Sequence, residues 1–200
     1  MKPIIFSTPM VQAILDGKKT QTRRVIKIDD APENWNISIA GTSIVRTEPY
    51  DVKLPRYAAG DILWVRETWA KSYRENYYRA DAPLNCNGSE CVSGGCDIAV
   101  YCERTGGFMK WRPSIHMPKE AARIFLRVTD VRVERLQDIT EEDAIAEGMS
   151  KTLVDGVIFI SAKGNFHVLW DSLNIKRGYG WEDNPWVWVI EFERVEVENE

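Results

Sequence analysis

Lysine, threonine and arginine side chains crowd the segment 16–24, whose sequence is D-G-K-K-T-Q-T-R-R. Ammonium, guanidinium and hydroxyl groups are the donors that proteins use to hold a phosphate or another oxygen-rich group. A turn from a helix to a strand needs only a glycine, so the additional cations predict a site for such a ligand. The alternative is a solvated basic turn, because runs of charge usually lie on the surface.

Strand geometry decides which of these side chains share a face. The segment 22–27 alternates as a strand does, so Thr22 and Arg24 point to one side and Arg23 points to the other. Lys19 lies in the turn just before this strand. We therefore expect Thr22 and Arg24 to face one cavity, with Lys19 at its rim.

Aromatic and arginine side chains are interleaved between positions 64 and 79. Trp69 and Tyr78 follow the end of a predicted strand, with Arg66 and Arg79 close to them in the sequence. Aromatic faces with arginines between them can stack on bases and clamp a nucleic-acid strand. The alternative is a hydrophobic core covered by arginine stems, which is the interpretation we favour for Trp64 on the strand itself.

Two further candidate ligand-binding residues, Ser114 and His116, lie in the sequence W-R-P-S-I-H-M-P. The prolines fix an extended loop on either side of them. A single histidine is more often a hydrogen-bonded structural group than a base, and that alternative stays open for His116.

All four cysteines of the chain fall within a polar, glycine-rich stretch that we interpret as an insertion over residues 81–103. Clustered thiolates in a reducing compartment are more typical of a metal site than of disulfides. Zinc bound by four cysteines also stabilises small loops that have no core of their own. The sequence therefore predicts a structural zinc ion, with free or oxidised thiols as the alternative, held by Cys86, Cys91, Cys96 and Cys102.

The elements that position these residues are many short strands and a few short helices. Thr140 and Asp143 have the spacing of a capping box, and Gly17 and Gly148 are expected to end helices. Strands are predicted at 2–6, 22–27, 62–67, 123–135 and 186–197, and helices after Thr8, at 140–147 and at 165–174. This order is typical of an α+β, mainly β fold built around a small barrel.

Composition limits the class of protein. A chain of 200 residues suits one domain over 1–200 with a sizeable core. No apolar run reaches the roughly 18 residues of a membrane span, and no signal-peptide core begins the chain, so we expect a cytoplasmic protein. The net charge is −4, and a local basic segment on an acidic chain favours a focused ligand over a long duplex.

Several motifs together resemble the ASCH family, a branch of the PUA-like β-barrels. Gly17, Lys19, Thr22 and Arg24 read G-x-K-x-x-T-x-R, which is similar to the signature of that family. The stretches K-P-I-I-F-S-T-P-M, W-R-P-S-I-H-M-P and G-Y-G-W, with N-P-W-V-W after it, resemble ASCH proteins of phages and prophages. The resemblance spans most of the chain and implies a PUA-like barrel with short flanking helices.

The same resemblance implies two kinds of activity. The leading expectation is binding of RNA or a nucleotide, because positions similar to Trp69 and Tyr78 line the cleft of PUA-like folds. Some ASCH members are similar to amidohydrolases that remove an acyl group from N4-acetylcytidine with a catalytic Lys, Thr and Glu. Those residues match Lys19 and Thr22 here, and Glu67 is the expected carboxylate.

Three alternatives remain open at this point. The cleft could be that of a ribonuclease, or the chain could be a phage accessory protein that works by protein–protein contact. Lys19 and Glu67 could also form an ion pair that only stabilises the barrel, since inward charges need partners.

Overall fold

A computed structural model describes residues 1–26, 39–40, 43–44, 56–71, 76–81, 111–154 and 157–197. The described strands are β1 Lys2–Ile5, β2 Gln21–Val25, β3 Ile39–Ala40, β4 Ser43–Ile44, β5 Ile62–Arg66, β6 Trp69–Lys71, β7 Asn76–Tyr78, β8 Phe125–Arg135, β9 Thr152–Val154, β10 Val157–Ile160 and β11 Trp186–Val195. The described helices are α1 Thr8–Leu15, α2 Glu141–Ala146 and α3 Ala162–Asn174. Short 3-10 turns add Ser114–His116, Lys119–Ala121, Leu136–Asp138 and Ile175–Arg177.

Strand outweighs helix in this part of the chain, so the predicted α+β, mainly β class is confirmed. Five strands form one mixed sheet in the order β1-β5-β8-β11-β2, with β1 parallel to β5 and β11 antiparallel to β2. The described strands do not close into a barrel, and the PUA-like barrel stays a prediction.

The chain divides into two compact units, and the single domain over 1–200 stays a prediction. The first unit consists of Met1–Asp16, Ile62–Leu126 and Arg194–Glu200. Within it, α1 buries Val11 and Ile14, and β6 pairs with β7. Ser7 precedes α1 where the sequence predicted Thr8 as the cap, so the helix begins one residue earlier than expected.

The second unit consists of Gly17–Asp61 and Arg127–Glu193. Its core joins α2 and α3 to the sheet through Leu136, Ile139, Ala144, Ala162, Phe166, Trp170, Val187 and Val189. The two helices are also tied by Glu141, whose carboxylate accepts the backbone N–H groups of Ala162 and Lys163 at the start of α3. A carboxylate at this end of a helix satisfies donors that have no partner inside the helix.

Local signals in the sequence place the ends of the helices well. Thr140 and Asp143 form the predicted capping box on α2, with reciprocal side-chain and backbone hydrogen bonds. Gly17 and Gly148 both have positive φ, at 71° and 91°, as expected for residues that follow helices. None of the helices in the described part of the chain is long and apolar enough to cross a membrane.

Candidate functional site

Lys19 is the centre of a buried polar cluster in the second unit. Its Nζ donates hydrogen bonds to the Glu147 carboxylate (Oε2, 2.6 Å), the Glu147 carbonyl (2.8 Å) and the Gln21 carbonyl (2.9 Å). Lys19 and Glu147 are 2% and 4% exposed, so the ion pair is shielded from water. The pair is held by the backbone, because Lys19 and Glu147 form a β-bridge and the Thr20 N–H donates to the Ala146 carbonyl.

The environment changes the protonation of this lysine. Burial lowers the pKa of Lys19 below its usual value, and the nearby cations Arg24 and Arg23 lower it further. Glu147 acts in the opposite direction through its charge and its hydrogen bond. The balance leaves an amine that gives up its proton more easily than a lysine in water.

Strand β2 places the neighbouring side chains as its alternation predicts. Gln21 and Arg23 both reach Asp143 of α2, so the odd-numbered side chains lie toward that helix. Thr22 and Arg24 belong to the other face of the strand. Thr22 is buried, at 3% exposed, and is paired in register with Ile190 of β11.

Arg23 is a second buried cation that the sequence analysis did not select. Its guanidinium lies between three carboxylates: Glu147 at 3.4 Å, Glu134 at 3.1 Å and Asp143 at 3.2 Å. Its side chain is fully buried, while those of Glu134 and Asp143 are partly exposed. Hydrogen bonds from Gln21 and Thr140, together with the charge of Arg23, outweigh the effect of burial and lower the pKa of Asp143.

Arg24 differs from Arg23 because solvent reaches it. The surrounding protein nevertheless desolvates the guanidinium enough to lower the pKa of Arg24, and the charge of Arg177 adds to this effect. Tyr57 and Glu147 oppose it. A cation that is accessible, crowded by protein and close to a second arginine suits the binding of an anion.

Glu67 is bound by an arginine of the first unit. It directly follows β5 in the first unit, 1% exposed, where Arg123 donates to both of its carboxylate oxygens at 3.0 and 3.2 Å. Arg123 also binds Asp81. Burial raises the pKa of Glu67 despite this arginine. The carboxylate bound to Lys19 is Glu147, and a cluster of Lys19, Thr22 and Glu67 remains a prediction.

Trp69 and Tyr78 of the first unit pack against neighbouring residues of that unit. Trp69 is 3% exposed and forms a core cluster with Met117 and Ala121, with the Arg112 guanidinium 5.3 Å from its ring centre. The Tyr78 hydroxyl donates to the Ala121 carbonyl. The structure thus places Trp69 in the core, where its ring faces are covered.

Arginines lie over the other rings of this unit. The guanidinium of Arg123 is 3.9 Å from the Tyr78 ring centre, and that of Arg79 is 5.8 Å from the Trp111 ring centre. Arg66 donates to the Met117 carbonyl. These arginines pack over rings of the first unit, and Arg66, Tyr78 and Arg79 are half-buried, so their role in ligand binding stays a prediction.

Ser114 and His116 lie in the 3-10 turn Ser114–His116 of the first unit, after Pro113. Ser114 is half-buried and His116 is exposed. Both remain candidates for ligand contact.

The four cysteines lie outside the described residues. Across residues 1–81 and 111–197, apart from the undescribed segments within them, no group of His, Cys, Asp and Glu side chains is arranged to hold a metal ion. The zinc site therefore stays a prediction.

Only weak signals in the sequence point to Glu147 and Arg23, the two residues that were not predicted. Glu147 stands directly before Gly148 at the end of a predicted helix, where a carboxylate is unfavourable beside the helix dipole. A charge placed against the dipole is a reason to look for a partner elsewhere. No such signal exists for Arg23. Strand alternation predicts the side of the strand on which Arg23 lies, but it does not predict which residues pack against that side.

Comparisons with models of known protein families, with curated proteins and with solved structures found no match. The geometry of the site is therefore the basis for the functional argument.

Proposed function

We propose that this chain is a cytoplasmic ASCH-type protein with a PUA-like barrel, and that it hydrolyses the acyl group of a modified nucleoside of the N4-acetylcytidine kind. The observation that supports this is the buried pair of Lys19 and Glu147, joined at 2.6 Å on the strand turn that leads to Thr22.

Burial of this pair is expensive for a purely structural contact. Removing two ions from water often costs as much as their attraction returns, so a buried ion pair is weak evidence for stability. Ionisable groups with shifted pKa values are instead frequent at sites of chemistry. Burial lowers the pKa of Lys19, and this is the direction that favours a lysine as a general base.

The proposed roles of Lys19 and Thr22 are those that the resemblance to ASCH amidohydrolases implies. Lys19, once it has lost its proton, takes the proton of the Thr22 hydroxyl, and the oxygen attacks the acyl carbon of the substrate. The bond from the acyl carbon to the nucleoside nitrogen breaks, and that nitrogen leaves with the proton from Lys19. Water then releases the acyl group from Thr22. Glu147 holds Lys19 in place through both steps.

Binding of RNA or a nucleotide without catalysis is the second candidate. Arg24 favours it, because this cation is accessible to solvent and has Arg177 near it. The stacking surface expected at Trp69 supports it less, since that ring is covered. Under this candidate, Arg24 contacts a phosphate and the buried pair only holds the turn.

Glu147→Gln and Glu67→Gln form the matched test of the hydrolase. The substrate is N4-acetylcytidine, and release of cytidine is measured by chromatography. Thr22→Val and Lys19→Met should each lower kcat/KM by about a hundredfold or more, because each removes a group used in attack or proton transfer. Glu147→Gln should also lower kcat/KM by about a hundredfold, because it removes the carboxylate that holds Lys19 in place. Glu67→Gln should stay within a fewfold of the wild type.

If Glu67→Gln lowers kcat/KM strongly and Glu147→Gln does not, Glu67 is the catalytic carboxylate. If the wild-type protein releases no cytidine, the hydrolase is wrong, and a titration with labelled single-stranded RNA at two salt concentrations examines the second candidate. Binding that weakens in Arg24→Gln, with a salt slope reduced by about one, would support a phosphate contact.

A further inference from the structure

The carboxylate of Glu147 is shared between two buried cations. One oxygen, Oε2, accepts from Lys19 at 2.6 Å, and the other, Oε1, accepts from Arg23 at 3.4 Å. Neither cation is accessible to solvent, since both side chains have no exposed surface. The proton of Lys19 and the position of Arg23 are therefore coupled through one carboxylate.

Arg23 is anchored on its outer side by two more carboxylates. Its second terminal nitrogen lies 3.1 Å from Glu134 and 3.2 Å from Asp143. Gln21 fixes Asp143 with two hydrogen bonds from its side-chain amide. The Nε of Arg23 has no hydrogen-bond partner in the described part of the chain, so the two terminal nitrogens alone orient its guanidinium.

Arg132 closes this network at its outer edge. It donates to Glu134 and to Glu191, and it lies 3.7 Å from Asp143. Hydrogen bonds with Glu134 and Glu191 raise the pKa of Arg132 even though burial opposes them. Arg132 therefore stays charged and holds the two carboxylates that anchor Arg23.

We propose that Arg23 is a positioning residue for Lys19: by binding one oxygen of Glu147 and standing as a like charge beside the amine, it limits how strongly Glu147 can hold the Lys19 proton. The outer carboxylates Glu134 and Asp143 set how closely Arg23 approaches Glu147. This role rests on the proposed function only for its consequence in catalysis.

The physical argument is a competition for one carboxylate. If Arg23 were neutral, Glu147 would be left entirely to Lys19, and a repelling charge would be gone. Both changes favour the protonated lysine. The charges of Glu147, Arg24 and Arg23 act on Lys19 directly. The groups linked to these through ion pairs are Asp143, Glu134, Arg132 and Glu191, and Arg177 acts on Arg24.

The test is a direct titration of Lys19, which does not need enzymatic activity. Protein with labelled lysine is titrated by NMR from about pH 6 to about pH 11, and the Lys19 signal is assigned by its loss in Lys19→Met. Arg23→Gln should raise the pKa of Lys19 by about one pH unit or more. Arg127→Gln is the matched control, because it removes one arginine from an exposed pair with Glu193 and should leave Lys19 unchanged.

Glu134→Gln should shift the pKa of Lys19 in the opposite direction. Release of one outer anchor lets Arg23 move closer to Glu147 and removes a negative charge, so the pKa of Lys19 should fall. This variant replaces a partly exposed side chain, so it carries the test if Arg23→Gln does not fold. An unchanged or lowered Lys19 pKa in folded Arg23→Gln, or an unchanged or raised one in Glu134→Gln, would overturn the proposal.

A kinetic arm separates this proposal from the proposed function. If N4-acetylcytidine is hydrolysed, the acidic limb of the kcat/KM profile should move upward in Arg23→Gln by the same shift that the titration gives. If no hydrolysis occurs and the titration still gives opposite shifts, the hydrolase is wrong while the role of Arg23 stands.

Discussion

Buried charges in the second unit are tolerated because each one has several partners. Lys19 satisfies all three of its donors with Gln21 and Glu147, and Arg23 meets three carboxylates. A buried ion that loses its partner is far more destabilising than the pair is stabilising. The residues of this cluster should therefore depend on one another in their effects on stability.

Lys19→Met and Glu147→Leu should show this dependence in a double-mutant cycle. Each single change leaves a buried charge with less compensation and should lower the free energy of unfolding by about 3–5 kcal/mol. The double variant should be less destabilised than the sum of the singles, because no uncompensated ion of the pair remains. Urea denaturation followed by tryptophan fluorescence measures all four proteins.

The difference in stability between the wild type and Lys19→Met should change with pH in a defined direction. The pKa of Lys19 is lowered from its usual 10.5 in the folded state, so the unfolded chain binds more protons in the window just below that value. The stability of the wild type relative to Lys19→Met should therefore rise with pH through this window, up to the unfolded pKa. A difference that is independent of pH would contradict the lowered pKa.

At the scale of elements, the short helix α2 positions the acidic half of the site. It spans only Glu141–Ala146, and a helix of this length does not form without support at its ends. Its capping box uses Thr140 and Asp143, and Asp143 also contacts Arg23. The residue that caps this helix is thus linked to the charges around Lys19.

Thr140→Ala should destabilise the protein by about 1 kcal/mol, since it removes the side-chain acceptor for the Asp143 N–H. Ser161→Ala is the matched control, because Ser161 caps α3 in the same way through the Gly164 N–H. Both changes should lower stability by similar amounts in urea denaturation. Only Thr140→Ala should also shift the titration of Lys19, because Thr140 is hydrogen-bonded to Asp143, and Asp143 contacts Arg23. If the pKa of Lys19 is the same in the two variants, the cap of α2 does not influence the cluster around Lys19.

At the scale of the whole molecule, the local distribution of charge differs from what the net charge suggests. The chain carries a net charge of −4, yet two of its cations are buried in one cluster and compensated there by acids of α2 and β8. The net charge therefore reports little about the surface around Arg24. Composition alone could not locate a site.

The cysteine-rich insertion gives a prediction for the whole chain. Protein purified without chelator should contain about one zinc ion per chain, bound by the four cysteine thiolates. Removal of the metal should lower the melting temperature, since zinc binding contributes directly to folding of such loops. Elemental analysis and thiol titration measure this. A stable, metal-free protein with four reactive thiols would refute the zinc site.

The sequence by itself determined features that depend on neighbouring residues. The strands β1, β2, β5, β8 and β11 were predicted to within a few residues of their observed ends, because alternation and turn glycines act locally. The capping box at Thr140 and the left-handed Gly17 were predicted for the same reason. The face shared by Thr22 and Arg24 also follows from local geometry alone.

Tertiary structure decided which partners those features meet. Lys19 pairs with Glu147, 128 positions away, and no local pattern in the sequence indicates this contact. Trp69 is in a core although it resembles a ligand-stacking residue, and Arg23 is buried although it lies in a basic turn. Periodicity tells which side of a strand a residue occupies, but what covers that side depends on distant elements, and burial and pKa depend on that cover.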